Sequence, residues 1–459
     1  MHNYFYIRDL RIQNLKINYK MKAVRNMKRI KIFISVIVLS GCLSTIYAQD
    51  WPQYLGPNGN SSSPQKGILR SWPQQGPEVL WTVNVGIGYG GPVVKDGKVY
   101  ILDRDDKVGD KLRCLDLASG KELWNFAYTA PGSVMFPGSR SVPAIDGNRI
   151  YSCGPYGNLY CIDINTHKPV WNKNVWTDFG GGEIPRWAIT QCPLVSGDLV
   201  ILASQAPQAG VVAYEKLSGK VRWKTPSLGE LGYVSPAIVK VGKESHVVML
   251  TASAGRGAEA SGGKVVGIDP LTGKILWEYT NWQCGIPVPG AVDAGEGRVL
   301  ITGGYQAGAA MIKIVRKPDG SFGVTELYKN ADFGAHTQPP VLVNGYFYAQ
   351  YTTNERKDGL VCMSMDGHIE WKTGRSPLFD KGGIILADGL LLSTDGSKKL
   401  YLIEPDPSAF KVIASAELLN VESGTDARSG TQNWAPLALA DGKLLIRDQS
   451  RLKCVKVAK

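Results

Sequence analysis

A large aromatic residue returns roughly every fifty positions in this chain, at Trp124, Trp171, Trp223, Trp277, Tyr328 and Trp371, with steps of 47, 52, 54, 51 and 43. Each closes the same unit. The first reads Lys98-Val99-Tyr100-Ile101-Leu102, then Leu112-Arg113-Cys114-Leu115-Asp116, then Ser119-Gly120-Lys121-Glu122-Leu123-Trp124. Runs rich in β-branched and aromatic residues, broken by Gly and Asp, are strands. Asp followed by Ser/Thr-Gly turns the chain between two of them: the polar side chain satisfies backbone N–H groups and glycine accepts positive φ. No stretch carries a convincing 3.6-residue period, so almost no helix is expected. Four strands per unit at this spacing predict the blades of a β-propeller.

The units count to about eight. The seventh, around Leu390-Leu391-Leu392 and Leu400-Tyr401-Leu402, lacks the Trp, and the last supplies three strands ending at Leu452-Lys453-Cys454-Val455. The missing strand with its Trp stands near the start, at Glu78-Val79-Leu80-Trp81. The expectation is an all-β, eight-bladed propeller of four-stranded antiparallel blades, a single domain over residues 49–459. The N-terminal strand joins the last blade, which removes an open sheet edge. Aromatic rings wedged between blades contribute about 1.5–3 kcal/mol each on burial.

The formal charge of +12 invites a nucleic-acid partner, but nine Lys or Arg against one acid lie in residues 1–31. That segment accounts for +8 and leaves +4 on the body, too little for such a partner. The basic stretch, the apolar run Ile32 to Leu39 and the small residues after it form an export signal over residues 1–48. Met21 or Met27 is the more usual start, which makes residues 1–20 an upstream extension. Two processing readings stay open. Leu39-Ser40-Gly41-Cys42 makes Cys42 a lipidation candidate, and Ile46-Tyr47-Ala48 suits cleavage before Gln49. Either places the protein outside the cytoplasm, in the periplasm or at the outer membrane, touching a membrane only through a lipid anchor. The apolar run is too short for a span.

Eight Cys in an exported chain suggest disulfides, yet Cys114, Cys161, Cys362 and Cys454 occupy one column of the repeat, which Ala213 and Gly267 fill elsewhere. A small buried residue is wanted there, and Cys serves as one. Cys153 and Cys161 flank a hairpin, which leaves a bridge between them as the alternative.

The repeat resembles the pyrroloquinoline-quinone-like (PQQ-like) propeller family, over essentially residues 50–459. The runs Asp50-Trp51-Pro52-Gln53-Tyr54-Leu55-Gly56-Pro57 and Gly334-Ala335-His336-Thr337 look like an exported bacterial branch of it. That family includes quinone-dependent alcohol dehydrogenases and a non-catalytic scaffold lipoprotein of the outer-membrane β-barrel assembly machinery. The dehydrogenase branch implies adjacent cysteines against the cofactor, a calcium held by acidic and Asn ligands, and a catalytic Asp. This chain has no Cys-Cys pair, and no motif places the calcium ligands or the base. PQQ is therefore not the expected cofactor, and no metal site is expected.

In a propeller, the loop from each outer strand to the next inner strand ends at the channel mouth. Those junctions carry Tyr89, Arg140, Trp187, Tyr233, His336, Lys381 and Trp434. Aromatics mixed with cations and amides suit a polar or anionic ligand with a flat ring or a carboxylate; the competing reading is that they plug the channel. His336, Arg140 and Glu183, the last in the Gly-rich loop before Arg186, are the candidates for catalysis. His167 and His368 sit in turns facing solvent, and His246 opens a strand as an exposed residue. Asp103-Arg104-Asp105-Asp106 with Asp110 reads as a solvated hairpin tip, with an oxygen-rich calcium loop as the alternative. Trp176, Trp187, Trp282 and Trp434 could stack on sugars. The reading that follows is a non-catalytic envelope protein that binds a partner protein or a small polar ligand. The alternative is a quinoprotein-type oxidoreductase, or another enzyme, working at the same mouth.

Overall fold

The computed structural model describes residues 20–21, 49–255, 260–353, 356–421 and 432–459. Residues 1–48, where the export signal and the lipidation candidate Cys42 are expected, lie outside the described residues apart from Lys20 and Met21.

From residue 49 onward the chain forms eight antiparallel sheets in sequence order. The first blade runs Val93–Lys95, Lys98–Asp105, Gly109–Asp116 and Glu122–Thr129 from its inner to its outer strand. The inner strands of the next six are Ala144–Asp146, Leu194–Ser196, Ala237–Val241, Val292–Gly295, Val341–Val343 and Ile384–Ala387. The eighth sheet combines Ala438–Ala440, Lys443–Arg447 and Arg451–Lys456 with Val79–Asn84, which pairs antiparallel along Arg451–Lys456. The short strand Ser62–Ser63 adds to the seventh blade, parallel to Ile384–Ala387. In this unit the helical content among the described residues is one 3-10 turn, Thr177–Phe179.

The register explains the column of small residues. Cys114 lies opposite Trp124, Cys161 opposite Trp171, Ala213 opposite Trp223, Gly267 opposite Trp277, Cys362 opposite Trp371 and Cys454 opposite Trp81. All six small residues are buried. A short side chain there lets the indole lie down over its own sheet. The indole N–H then reaches the next blade: Trp81 donates to the Leu117 carbonyl at 2.9 Å, Trp171 to Lys216 at 3.1 Å, Trp223 to Pro270 at 3.0 Å and Trp371 to Asp406 at 2.9 Å. The turn glycine of that next blade rests on the ring. A Cβ at Gly120, Gly219 or Gly273 would come within 2.7, 2.7 and 2.5 Å of Trp81, Trp171 and Trp223. His167 takes the same turn position in the second blade with φ +60°, and its exposed ring stacks on Trp124 at 4.5 Å. Where the Trp is replaced, the partner changes too: Met311 faces Tyr328, and Leu402 faces Ala414.

All described cysteines are free and buried. The Cys153–Cys161 bridge is not formed, because Cys153 pairs with Leu159 while Cys161 lies opposite Tyr151. His368 is exposed as expected, but His246 is not. It is 1 % exposed, and its Nδ1 accepts the Trp277 indole N–H at 3.0 Å. Gly267 allows this contact, since a Cβ there would lie 2.0 Å from the Trp277 ring. The ring of Phe322, from the next blade, stands edge-on to His246 at 4.6 Å.

Burial holds the His246 imidazole below its ordinary value, against the opposing pull of Glu244 and Asp269. The folded protein therefore favours the neutral ring, which is also the form able to accept the indole proton. Stability from this contact is whole above the unfolded value near 6.5 and is lost as the pH falls below it. Denaturant unfolding at pH 7.5 and pH 5.5 should show a smaller acid loss in His246→Gln, whose amide oxygen accepts the indole proton without titrating.

Candidate functional site

The junction loops meet in a cavity of about 540 Å³ at the channel mouth. All seven junction residues named from the sequence line it: Tyr89, Arg140, Trp187, Tyr233, His336, Lys381 and Trp434. The channel is thus not filled by them, and the volume lies in the range of small-molecule sites. Glu183, by contrast, is exposed and does not line the cavity, because its Gly-rich loop turns outward before Arg186. Trp176 and Trp282 are buried, with their indoles bonded to the Gly182 and Ala307 carbonyls. Only Trp187 and Trp434 of the four proposed stacking residues reach the cavity.

Two aromatic groups stand in the wall. Tyr89 packs on Trp434 at 5.3 Å and edge-on to Phe136 at 6.1 Å, while Trp187 meets Tyr233 edge-on at 5.3 Å. Tyr89 is placed by its own amide, which donates to the Ser139 carbonyl at 2.7 Å, and by its hydroxyl, which donates to Gln432 at 2.9 Å. Beneath it Arg447 is fully buried and donates to the Gly90 and Gly86 carbonyls, both at 2.7 Å. Burial lowers Arg447 to about 10, opposed by Asp103 and Asp448. This residue pins both ends of the Tyr89 loop; within Leu444-Leu445-Ile446-Arg447 it gave no sequence signal of that role.

The charges of the wall are cationic. Arg140 bonds the carbonyls of Met135, Phe136 and Gly138 and has no ion-pair partner among the described residues. Burial lowers it to about 10. Lys381, in a left-handed conformation at φ +64°, is paired with Asp380 at 2.5 Å and sits 5.3 Å over the Trp434 ring. Burial lowers its pKa, and Asp380 opposes that shift. Arg186 lies 5.4 Å over Trp187. His336 is buried, with Nδ1 against the Thr352 carbonyl at 3.1 Å. A carbonyl can only accept, so Nδ1 carries a proton and donates it to this bond. Tyr305 stands edge-on to this ring at 4.7 Å.

Among the described residues no Asp or Glu lines the cavity, and no three His, Cys, Asp or Glu gather as a metal site. The lining has one cysteine, Cys192, with its thiol raised by burial. The described residues of this lining offer a calcium ion no carboxylate oxygen, and so do not fit the calcium–quinone arrangement that the resemblance implies for dehydrogenases.

Sequence reasoning missed Tyr54, Phe136 and Tyr305 in this wall. Phe136 immediately precedes the junction Pro137-Gly138, a position adjacent to one already singled out. Tyr54 comes from the opening run and Tyr305 from a hairpin tip, neither of which the repeat marks as mouth-facing.

The run 130–138, which carries Met135 and Phe136, is tied down from both sides. Arg140 holds one end as described. Arg104 holds the other, donating to the Ala130 and Gly132 carbonyls at 2.9 and 2.7 Å. The Arg104 side chain is wholly buried and pairs with Asp106 at 2.8 Å and Asp110 at 2.9 Å. Asp103, Arg104 and Asp110 are buried, so the solvated hairpin tip is corrected to an internal ion-pair cluster.

A family model described as outer membrane protein assembly factor BamB matches residues 109–373. Among curated proteins, the quinoprotein alcohol dehydrogenase PedH of Pseudomonas putida is 28 % identical over 152 residues, 31 % of this chain and 24 % of that one. The quinoprotein ethanol dehydrogenase of Pseudomonas aeruginosa is 28 % identical over 164 residues, 34 % of this chain and 24 % of that one. The match spans about a quarter of each relative's length. Among solved structures, a europium-containing methanol dehydrogenase superposes with a TM-score of 0.60 at 14 % identity, over 88 % of this chain and 89 % of that one. BamB from Moraxella catarrhalis superposes with 0.54 at 12 % identity, over 83 % and 99 %. At such identities the superpositions speak for the fold alone.

Arg104→Gln leaves Asp110 buried without its counter-charge and should cost about 3–5 kcal/mol in unfolding free energy. Hydrogen exchange over residues 130–138 should quicken with it. Adding Asp110→Asn should recover part of the stability but not the slow exchange, since the carbonyl bonds stay lost.

Proposed function

We propose that this chain, which belongs to the family described as outer membrane protein assembly factor BamB, is a non-catalytic binding protein of the cell envelope whose channel-mouth cavity takes a small anionic ligand with a flat ring. One observation carries the reading: a guanidinium with no carboxylate partner among the described residues, Arg140, faces a cavity walled by Tyr89, Phe136 and Trp434, and no described Asp or Glu lines it. A desolvated cation attracts an anion strongly, and aromatic faces bury a planar ring. Capture of a partner protein through the junction face belongs to the same scaffold reading. Its support is the family match.

A second reading, an enzyme at the same mouth, draws on His336, whose Nδ1–H is fixed on a carbonyl in the manner of an oriented base. Oxidation of an alcohol by protein loaded with the quinone and calcium, using an artificial electron acceptor, would establish that reading and overturn the non-catalytic one.

Fluorescence titration with 2-naphthoate should show saturable binding. Arg140→Gln should weaken it by roughly tenfold to a hundredfold, the equivalent of about 1.5–3 kcal/mol for a hydrogen bond to a charged group. Export is the other half of the proposal. Mass spectrometry of the mature chain should find either a lipid-modified Cys42 or a start at Gln49; an unprocessed N-terminus would remove the envelope assignment.

A further inference from the structure

We propose that Tyr54 is a specificity-determining residue of the cavity, a hydrogen-bond donor to an acceptor at the buried end of the ligand; this rests on the binding reading above. The segment that carries Tyr54 is docked on the inner strands of four blades. Trp51 exchanges two backbone hydrogen bonds with Val94 of the first blade, at 2.9 and 2.8 Å, and the Pro52 carbonyl accepts from Ile145 of the second at 2.8 Å. The Ser61 carbonyl accepts from Leu386 of the seventh at 2.8 Å, and the Gln65 side chain accepts from Gly442 beside the eighth at 2.8 Å. Within the segment, Gly56 bonds back to Gln53 and Ser61 to Leu55 at 3.0 and 2.8 Å, and the Trp51 ring is buried against Gly56. A turn fastened in this way holds Tyr54 in place without any help from its side chain.

Tyr54 is the residue of this segment that lines the cavity. It shares the wall with Val142 and Cys192, each two residues down the inner-strand direction from the mouth residues Arg140 and Thr190. Tyr54 therefore lies deeper than the aromatic mouth. Its hydroxyl has no hydrogen-bond partner among the described residues. Burial keeps the phenol far above its ordinary value, so the group stays protonated and offers a proton. Around it, the Thr190 hydroxyl at the mouth is spent on the Tyr233 carbonyl at 3.1 Å, the Ser235 hydroxyl accepts from the Cys192 amide at 2.9 Å, and the Cys192 thiol is a weak donor, which leaves the phenol as the strong donor that the Tyr54→Phe comparison isolates. An unpaired donor held rigidly at the deep end selects a ligand that brings an acceptor there, because leaving the donor unpaired on binding is costly.

The test uses two probes of one shape, 6-cyano-2-naphthoate and 6-ethynyl-2-naphthoate, which differ in an acceptor nitrogen at the far end. Fluorescence titration of the wild-type protein should favour the nitrile by about threefold to tenfold. Tyr54→Phe should erase that preference and leave the alkyne affinity within about twofold, and Tyr54→His, which restores a donor, should recover part of it. Arg140→Gln should weaken both probes alike. If wild-type protein binds both equally, or if the preference survives in Tyr54→Phe, the role of Tyr54 is overturned while the cavity reading stands. If wild-type protein binds neither probe, the cavity reading itself falls, and this inference with it.

Discussion

The structure depends on a three-part seat repeated between blades. An indole lies over a small residue of its own sheet, donates to a carbonyl of the next blade's turn and carries that turn's glycine on its face. Each part requires the others. A larger residue opposite Trp171 would lift the ring, and a side chain at Gly219 would strike it. Because the indole N–H is satisfied across the seam, the ring can be buried without an unpaired donor. The fourth blade shows how firm the requirement is. There Trp277 turns across its own sheet to His246, and the small residue beneath shrinks to Gly267.

Cohesion is supplied at the outer seams as well as between neighbouring inner strands, and the mouth beyond them keeps a cavity. Its wall is cationic and aromatic, while the acids nearby are consumed by arginine or lysine: Asp106 and Asp110 by Arg104, Asp380 by Lys381. The same pairings set the shape. Arg104 and Arg140 fasten one strap from opposite ends, and Arg447 fastens the loop that bears Tyr89. Buried cations aimed at carbonyls do here what additional strands do elsewhere.

Much of this was legible in the residues. The aromatic period, the Asp–Ser/Thr–Gly turns and the column of Cys, Ala and Gly each report a local steric demand that recurs in every blade, so repetition made the signal visible. The seven mouth residues were legible for the same reason, since blade connectivity brings every junction to one end. What failed was what the repeat does not govern. His246 reads as an exposed strand start until its neighbour Trp277 is known to tilt. Glu183 reads as channel-facing because the path of a glycine-rich loop has no periodic signature. The acids from Asp103 to Asp110 read as a solvated tip because nothing in their order shows that Arg104 lies buried among them.

Sequence alone determined the sheet architecture, the blade count and the ring of residues delivered to the mouth, because these follow from steric rules acting within about fifty residues. Tertiary structure decided the rest: that the mouth is hollow, that Arg140 faces it with no ion-pair partner among the described residues, and that Tyr54 reaches it from a segment folded across four blades. Those outcomes depend on contacts between residues hundreds of positions apart. No period or spacing encodes the burial and charge pairing of such contacts.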